Sequence, residues 1–216
     1  MTQPHIVITG ANRGIGREIA GRYRAQGAKV TGTSRDGATG ATLDVTNPES
    51  VVAFAKSLER QPVDLLLCNA GVYLDKGESI EGYPAQMWAE TFAANVTGVF
   101  LSIQALLPNL RAARDAKIAI ISSTMASDTN APGGAYIYRS SKAAALNLGR
   151  NLAVDLKPEG IAVGIYHPGW VKTDMGGDAA AINVEESAAG LMARFDALSL
   201  ASTGSFENWD GRPHVF

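Results

Sequence analysis

A single cysteine, Cys68, is present in this chain of 216 residues. A disulfide within the chain and a metal site with two or more thiolates are therefore excluded, and Cys68 is expected to be a buried apolar residue. The three histidines have no carboxylate partners at metal-binding spacing, so no metal is expected. The amino terminus lacks the features of a signal peptide, which predicts a cytoplasmic protein.

Runs of basic residues and long apolar runs are also absent. The formal net charge is −2, and Lys and Arg are scattered, whereas nucleic acid requires a basic stripe. No stretch approaches the roughly 20 uninterrupted apolar residues of a membrane span. We therefore expect neither nucleic acid nor membrane as a partner. The length predicts one domain, residues 1–216.

Strand-like apolar runs alternate with helix-like segments along the whole chain. Strands are predicted at residues 5–9, 29–34, 42–45, 63–68, 117–122, 161–167 and 204–207. Helices are predicted at residues 15–26, 47–59, 84–94, 96–111, 136–156 and 183–198, two of them opened by the capping residues Asn47 and Asn183. This order predicts an α/β, doubly wound parallel sheet of the Rossmann type. Such sheets bind ligands beyond the carboxyl ends of their strands.

A glycine-rich turn joins the first predicted strand to the first predicted helix. It comprises Gly10, Ala11, Asn12, Arg13, Gly14, Ile15 and Gly16, preceded by Thr9. Glycine permits positive φ and close backbone approach, and a helix amino terminus offers N–H groups to a pyrophosphate. The spacing is G-x-x-x-G-x-G, unlike the usual G-x-G-x-x-G. Taken alone, these glycines also fit an ordinary turn.

Several later motifs carry a family resemblance together with this turn. They are Cys68-Asn69-Ala70-Gly71, Asn95, Ser123, Tyr138-Arg139-Ser140-Ser141-Lys142 and Pro168-Gly169-Trp170-Val171-Lys172-Thr173. In order and spacing they resemble the TGxxxGxG, NNAG, Asn, Ser, YxxxK and PGxxxT motifs of the short-chain dehydrogenase/reductase family, with Cys68 replacing the first Asn of NNAG. The segments HPGWVKTDMGG (167–177) and FENWDGRP (206–213) resemble its short C-factor-like subgroup.

Tyr138 and Lys142 are four residues apart on a predicted helix, so their side chains share a face. An ammonium about 4 Å away contributes roughly 4 kcal/mol at an effective dielectric of about 20, which would lower the tyrosine pKa by about three units. A tyrosine so tuned can donate a proton to a carbonyl or accept one from an alcohol. An ordinary surface pair is the alternative, and Tyr136 is a competing tyrosine without a lysine four residues on.

The resemblance implies an NAD(P)-dependent oxidoreductase that moves hydride between a nicotinamide and a carbonyl or alcohol. It makes Tyr138 the general acid/base, gives Lys142 a second role in holding the nicotinamide ribose, and lets Ser123 hydrogen-bond the substrate oxygen. Asn95 would position a water for proton relay. Two alternatives remain open: Ser122 in place of Ser123, and Asn95 as a helix cap before Val96.

The end of the second strand bears on the choice of cofactor. An acid there would accept from the ribose hydroxyls and repel a 2′-phosphate, but this chain has Ser34 followed by Arg35. Arg13 and Arg35 would bracket a phosphate, which favours NADP(H), with NAD(H) second. Asp36 is the missing acid if the strand ends two residues later. The resemblance implies further cofactor contacts at Gly10, Asn12, Gly14, Ile15, Gly16, Asp44, Val45, Asn69, Ala70, Gly71, Tyr138, Lys142, Pro168, Gly169, Val171 and Thr173.

The segment 174–183 is short and rich in Gly and Ala, which predicts an open pocket for a small aldehyde, ketone or alcohol. Trp170, Met125, Met175 and the loop 128–134 are candidate lining residues. The resemblance implies a homodimer or homotetramer built on helices 96–111 and 136–156. A nucleotide-binding signalling or regulatory protein with little turnover is the alternative function. An extended-type epimerase or dehydratase is a weaker one, because few residues follow Thr173.

Overall fold

The computed structural model describes residues 3–214, in which seven parallel strands form one sheet in the order β3-β2-β1-β4-β5-β6-β7. The strands are β1 His5–Ile8, β2 Lys29–Ser34, β3 Gly40–Thr42, β4 Leu65–Cys68, β5 Lys117–Ile121, β6 Ala162–His167 and β7 Phe206–Asn208. The helices are α1 Gly14–Ala25, α2 Pro48–Ser57, α3 Ala85–Phe92, α4 Gly98–Ala112, α5 Tyr136–Leu156 and α6 Val184–Ala197. The predicted doubly wound sheet is confirmed.

The central strands are largely apolar because both faces of the sheet are covered. Every residue of β1 and of β4 is buried. Side chains alternate along a strand, so Leu66 belongs to the core layer under α2 and α4, and Leu67 to the layer under α1 and α6. Cys68 is 2% exposed and lies in the first layer, and burial raises the pKa of its thiol to about 12. It is the buried apolar residue predicted.

Two predicted strands are displaced in the structure. The third was expected at residues 42–45, but β3 is Gly40–Thr42 and pairs with the end of β2. Leu43 and Val45 instead turn into the core, where Val45 lies directly against Gly98 of α4. The seventh was expected at 204–207 and is Phe206–Asn208. Apolar residues therefore marked core contact correctly but not the strand bounds.

The expected break between helices before Val96 is wrong. A π-helical turn, Ala93–Thr97, joins α3 to α4, so helix runs without interruption from Ala85 to Ala112. By length and composition alone this helix is apolar enough to cross a membrane, but 44% of its most apolar stretch is buried inside the fold, as in a core helix. The feature is weak evidence for a membrane.

Both predicted helix caps are present. The Asn47 side chain accepts hydrogen bonds from the N–H groups of Glu49 (2.9 Å) and Ser50 (3.2 Å) at the start of α2. The Asn183 side chain accepts from Glu186 N–H (2.7 Å) at the start of α6. Each side chain satisfies backbone donors that have no partner within the helix.

Strand order reverses between β1 and β4, since β1 continues to β2 on one side while β4 leads to β5 on the other. Loops that leave two such neighbours diverge and open a crevice at the carboxyl edge of the sheet. The predicted motif residues lie along this edge.

Candidate active site

The glycine turn after β1 is shaped for close backbone approach. Gly14 has φ +52°, and a Cβ placed on Gly16 would lie 2.3 Å from the carbonyl oxygen of Gly10 and 2.6 Å from Asn69 Nδ2. No side chain caps α1, and its first turn carries no acidic residue. Its first N–H groups, with the positive end of the helix dipole, therefore suit an anion such as a pyrophosphate.

The loop after β4 is hydrogen-bonded to this turn. Thr9 Oγ1 accepts from the N–H groups of Asn69 (3.0 Å) and Ala70 (3.0 Å). Asn69 Nδ2 donates to the carbonyl oxygens of Thr9 (3.1 Å) and Gly10 (2.8 Å). The predicted residues Asn69 and Ala70 thus line the crevice, and the Asn69 side chain holds the two loops together.

Ser123, Tyr138 and Lys142 converge at the same edge. Tyr138 and Lys142 lie on the first two turns of α5 and are 8% and 5% exposed. Hydrogen bonding by Ser123 acts to lower the pKa of the Tyr138 phenol, which places the two side chains together. Lys142 Nζ lies 5.7 Å from the centre of the Tyr138 ring and donates to the carbonyl oxygen of Ile121 at 2.9 Å. The structure therefore assembles the predicted group.

The expectation of a lowered tyrosine pKa is wrong for these residues by themselves. Burial, the largest effect, raises the pKa of Tyr138 to about 12, although the Ser123 hydrogen bond acts in the opposite direction. Burial also lowers the pKa of Lys142 to about 8. Desolvation of the phenolate is therefore the dominant effect at this position. Lowering the tyrosine pKa toward neutral requires a further positive charge.

The structure distinguishes Ser123 from Ser122. Ser122 Oγ donates to the carbonyl oxygen of Lys142 (2.9 Å) and is 1% exposed, so this hydroxyl joins the strand end to α5. Ser123 follows with extended backbone and accepts from Met125 N–H (3.1 Å) at the start of a short 3₁₀ turn. This turn directs Ser123, and not Ser122, toward Tyr138.

Asn95 lies in the π-helical turn and is 1% exposed. Its Oδ1 accepts from Val72 N–H (2.8 Å), and its Nδ2 donates to Val72 carbonyl oxygen (2.9 Å) and Ser141 Oγ (3.0 Å). The alternative of a helix cap is therefore wrong: the side chain joins the β4 loop to α5. Its role in a water relay stays a prediction.

The segment after β6 crosses in front of the glycine turn. A Cβ on Gly14 would lie 3.4 Å from Thr173 Cγ2, which places Thr173 beside the turn. Val171 is buried and forms a bridge with Ile182, while Pro168 carbonyl oxygen accepts from Ser187 Oγ (2.6 Å). These contacts fix the predicted PGxxxT segment, Gly169 included, at the crevice.

The sequence left two alternatives for contact with the cofactor ribose, the arginines and Asp36, and the structure keeps both. Strand β2 ends at Ser34 as predicted, but Ser34 Oγ donates to Asp36 Oδ1 at 2.6 Å, which brings the carboxylate back to the strand end. Arg35 is exposed. Arg13 is exposed too and pairs with Asp174 at 2.9 Å. The carboxylate of Asp44 is held by the N–H and hydroxyl groups of Thr46.

Two residues of the site were missed from the sequence. The Tyr73 ring stacks on Tyr138, with centroids 4.2 Å apart and planes at 21°. Asp75 is 0% exposed and accepts hydrogen bonds from the start of α5. The sequence does contain a signal for them, since an aromatic and an acidic residue lie two and four positions after the NNAG-like motif. Their partners, however, lie more than sixty positions away.

The proposed substrate side is exposed. Trp170 is 55% exposed and donates from Nε1 to Gly176 carbonyl oxygen (3.0 Å), and Met175 is 36% exposed. Lys76 Nζ donates to Met175 carbonyl oxygen (3.3 Å), so the loops after β4 and β6 touch across the crevice. Among residues 3–214 no cluster of His, Cys, Asp and Glu has the arrangement of a metal site.

Comparison with known proteins shows which family has this fold and these motifs. A model of the short chain dehydrogenase family matches residues 4–182. C-signal of Myxococcus xanthus is 38% identical over 160 residues, which cover 74% of this chain and 96% of that protein. The 3-oxoacyl-(acyl-carrier-protein) reductase FabG of Vibrio cholerae is 31% identical over 200 residues, 86% of this chain and 79% of that protein. The NADPH-bound carbonyl reductase from chicken fatty liver is 31% identical, with a TM-score of 0.91 and 100% of both chains covered.

The chain therefore belongs to the short-chain dehydrogenase/reductase family, and the C-signal match confirms the resemblance to the C-factor-like subgroup. It is an NAD(P)-dependent oxidoreductase of that family. The residues of the crevice fit a nicotinamide dinucleotide, because the uncapped start of α1 suits its pyrophosphate.

Proposed function

We propose that this protein reduces small aldehydes or ketones, or oxidises the corresponding alcohols, with NADP(H) as preferred cofactor and Tyr138 as general acid/base. The observation that carries the proposal is the convergence of three buried side chains, Ser123, Tyr138 and Lys142, with the Lys142 ammonium 5.7 Å from the centre of the Tyr138 ring.

The bound nicotinamide supplies or accepts the hydride and, when oxidised, carries a positive charge. In the reductive direction Ser123 orients the carbonyl oxygen by a hydrogen bond, and Tyr138 gives that oxygen its proton as the carbonyl carbon receives the hydride. The alcohol leaves and the phenolate regains a proton from solvent. Lys142, next to the ring, stabilises the phenolate while it lasts. Burial of the three groups keeps water from competing for these hydrogen bonds.

Cofactor preference rests on Arg13 and Arg35, two guanidinium groups near the predicted site of a 2′-phosphate. The similar chicken carbonyl reductase has NADPH bound. Asp36 acts against this preference, because its carboxylate is held at the strand end by Ser34.

Side-by-side titrations with NADPH and NADH at fixed ionic strength test the preference. We expect at least about tenfold tighter binding of NADPH, equivalent to about 1.4 kcal/mol. Arg35→Ala should remove most of the difference by weakening only NADPH, while Arg114→Ala, at a side chain 95% exposed beside Asp115, should change neither affinity. Equal affinities in the unmodified protein would reject the arginine hypothesis.

Turnover is tested by NADPH oxidation against a panel of aldehydes and ketones, with Tyr138→Phe and Tyr136→Phe compared. Tyr136 is 40% exposed and provides a control two positions away on the same helix. We expect Tyr138→Phe to lower kcat by about 10²- to 10⁴-fold and to keep cofactor affinity. Tyr136→Phe should retain activity. Cofactor binding without turnover of any carbonyl in the unmodified protein would favour the regulatory alternative.

We also propose a cytoplasmic homo-oligomer built on α4 and α5. Phe100 of α4 is 39% exposed and Val154 of α5 is 72% exposed, so both helices present apolar side chains outward. Light scattering after size exclusion tests this proposal. A monomer at micromolar concentration would refute it.

A further inference from the structure

The catalytic helix α5 begins without a cap of its own. Its first flanking residue, Ala135, has a left-handed backbone (φ 47°, ψ 42°) and no side chain that can accept a hydrogen bond. The missing acceptor comes from the loop after β4. Asp75 Oδ2 accepts from Ile137 N–H at 2.8 Å, and both carboxylate oxygens lie 3.2–3.3 Å from Tyr138 N. The carboxylate is 62 positions away from the helix start that it caps.

The same loop also contacts the Tyr138 side chain. Tyr73 stacks on its ring with centroids 4.2 Å apart, while Asp75 holds its backbone N–H. Val72, the preceding residue, is fixed through both its N–H and its carbonyl oxygen by Asn95. The loop thus contacts both the ring and the backbone of Tyr138, and Asn95 holds the loop in place.

The acceptor at the start of α5 is a charged carboxylate, that of Asp75, where a neutral side chain would also serve. Asp75 is 0% exposed, and none of the ion pairs found between residues 3 and 214 includes it. Burying a charge without a cation is costly, and the amino-terminal end of α5 offsets part of that cost. A neutral asparagine would accept similar hydrogen bonds without this penalty. The negative charge of Asp75 acts on the two neighbouring phenols, because it raises the pKa of both Tyr138 and Tyr73.

We propose that Asp75 is a positioning residue for the proposed reaction, holding Tyr138 through the first turn of α5 and placing a fixed negative charge at the backbone N–H of Tyr138. This inference rests on the proposed function of Tyr138. The charge disfavours the phenolate and so acts in the same direction as burial. The positive nicotinamide left after hydride transfer then opposes Asp75 when the phenolate forms.

The groups that face the phenol act in both directions. Burial has the largest effect and raises the pKa of Tyr138 to about 12; the Ser123 hydrogen bond lowers it, and Tyr73 and Asp75 raise it. Lys142 is the cation nearest the ring among these groups. Removing only the charge of Asp75 should therefore lower the pKa of Tyr138.

Asp75→Asn and Asp75→Ala separate the charge from the hydrogen bonds. Asparagine keeps an acceptor for the helix start and removes the charge, whereas alanine removes both. The control is Asp115→Asn, the same chemical change at a side chain 88% exposed. Two readouts are needed: the pH dependence of kcat for carbonyl reduction, and the titration of [ζ-¹³C]tyrosine in the complex with NADP⁺, with Tyr138 assigned by its loss in Tyr138→Phe.

In Asp75→Asn we expect the pKa of Tyr138 to fall, so that reduction fails at lower pH than in the unmodified enzyme. Asp75→Ala should also lower kcat at least about tenfold, with KM changed much less, because the misplaced tyrosine affects proton transfer more than binding. Asp115→Asn should match the unmodified enzyme in both readouts.

An unchanged Tyr138 titration in Asp75→Asn would overturn the inference, whatever happens to activity. Full turnover in Tyr138→Phe would instead overturn the proposed function, and the tyrosine titration would still report whether Asp75 acts on Tyr138. If Asp75→Ala does not fold, Asp75→Asn alone decides, since it keeps the helix acceptor.

Discussion

Gly16 and Gly21 both lie in α1, and replacing each by alanine should have opposite effects on the stability of the fold. A Cβ on Gly16 would lie 2.3 Å from the backbone oxygen of Gly10 and 2.6 Å from Asn69 Nδ2, so alanine forces the cofactor turn to move. A Cβ on Gly21 meets nothing within 4 Å. Gly16→Ala should cost about 1–3 kcal/mol from overpacking, reduced by the roughly 1 kcal/mol that alanine gains in a helix. Gly21→Ala should keep only that gain.

For a chain of this size 1 kcal/mol shifts Tm by about 2–4 °C. Gly16→Ala should therefore melt a few degrees lower than the unmodified protein, and Gly21→Ala a few degrees higher. Because the displaced turn presents the N–H groups of α1, Gly16→Ala should also weaken NADPH binding at least about tenfold, as measured by fluorescence titration. A Gly16→Ala variant that binds NADPH normally and melts like Gly21→Ala would refute the assignment of this turn.

Four further substitutions test the site and the fold. Ser123→Ala should lower kcat by at least about 10²-fold because it removes the hydroxyl proposed to orient the substrate oxygen, whereas Ser122→Ala should mainly cost about 1 kcal/mol of stability; equal kinetic effects would contradict this. Burial lowers the pKa of Lys142 to about 8 from its ordinary value of 10.5. Below pH 8 the buried ammonium therefore reduces the free energy of unfolding, and this loss of stability disappears as the pH rises toward 10.5. In urea unfolding, the stability of Lys142→Met relative to the unmodified protein should therefore be greater at pH 7 than at pH 10; no change with pH would refute the burial argument. Asn47→Ala should lower the free energy of unfolding by about 1 kcal/mol, seen as a lower Tm. An unchanged Tm would contradict the stabilising role of this cap.

The centre of the sheet could be predicted because its inner strands are buried on both faces and appear as largely apolar runs. The bounds of β3 could not, since the apolar residues Leu43 and Val45 fill the core beyond the strand end. Similarly, Asn95 suggested a helix break, but the chain inserts a π-helical turn there, and the buried amide bonds to Val72. Local sequence does not reveal such a partner.

The group proposed as catalytic was predictable through ordered motifs, whereas its electrostatics were not. The spacing of Tyr138 and Lys142 correctly places them on one face of α5, but it says nothing about desolvation or about the Ile121 carbonyl that binds the ammonium. Asp75 was missed for a related reason: an acceptor from another loop replaces the local cap that the sequence before α5 lacks.

The most direct test of the proposed function follows the hydride itself. NADPH deuterated at nicotinamide C4, in each of its two stereochemical forms, is incubated with the protein and a panel of aldehydes and ketones, and the alcohols are analysed by mass spectrometry. We predict alcohol carrying one deuterium from one of the two labelled forms, and its loss in Tyr138→Phe. Absence of deuterium from every product with both forms, in a protein that binds NADPH, would contradict the proposed function.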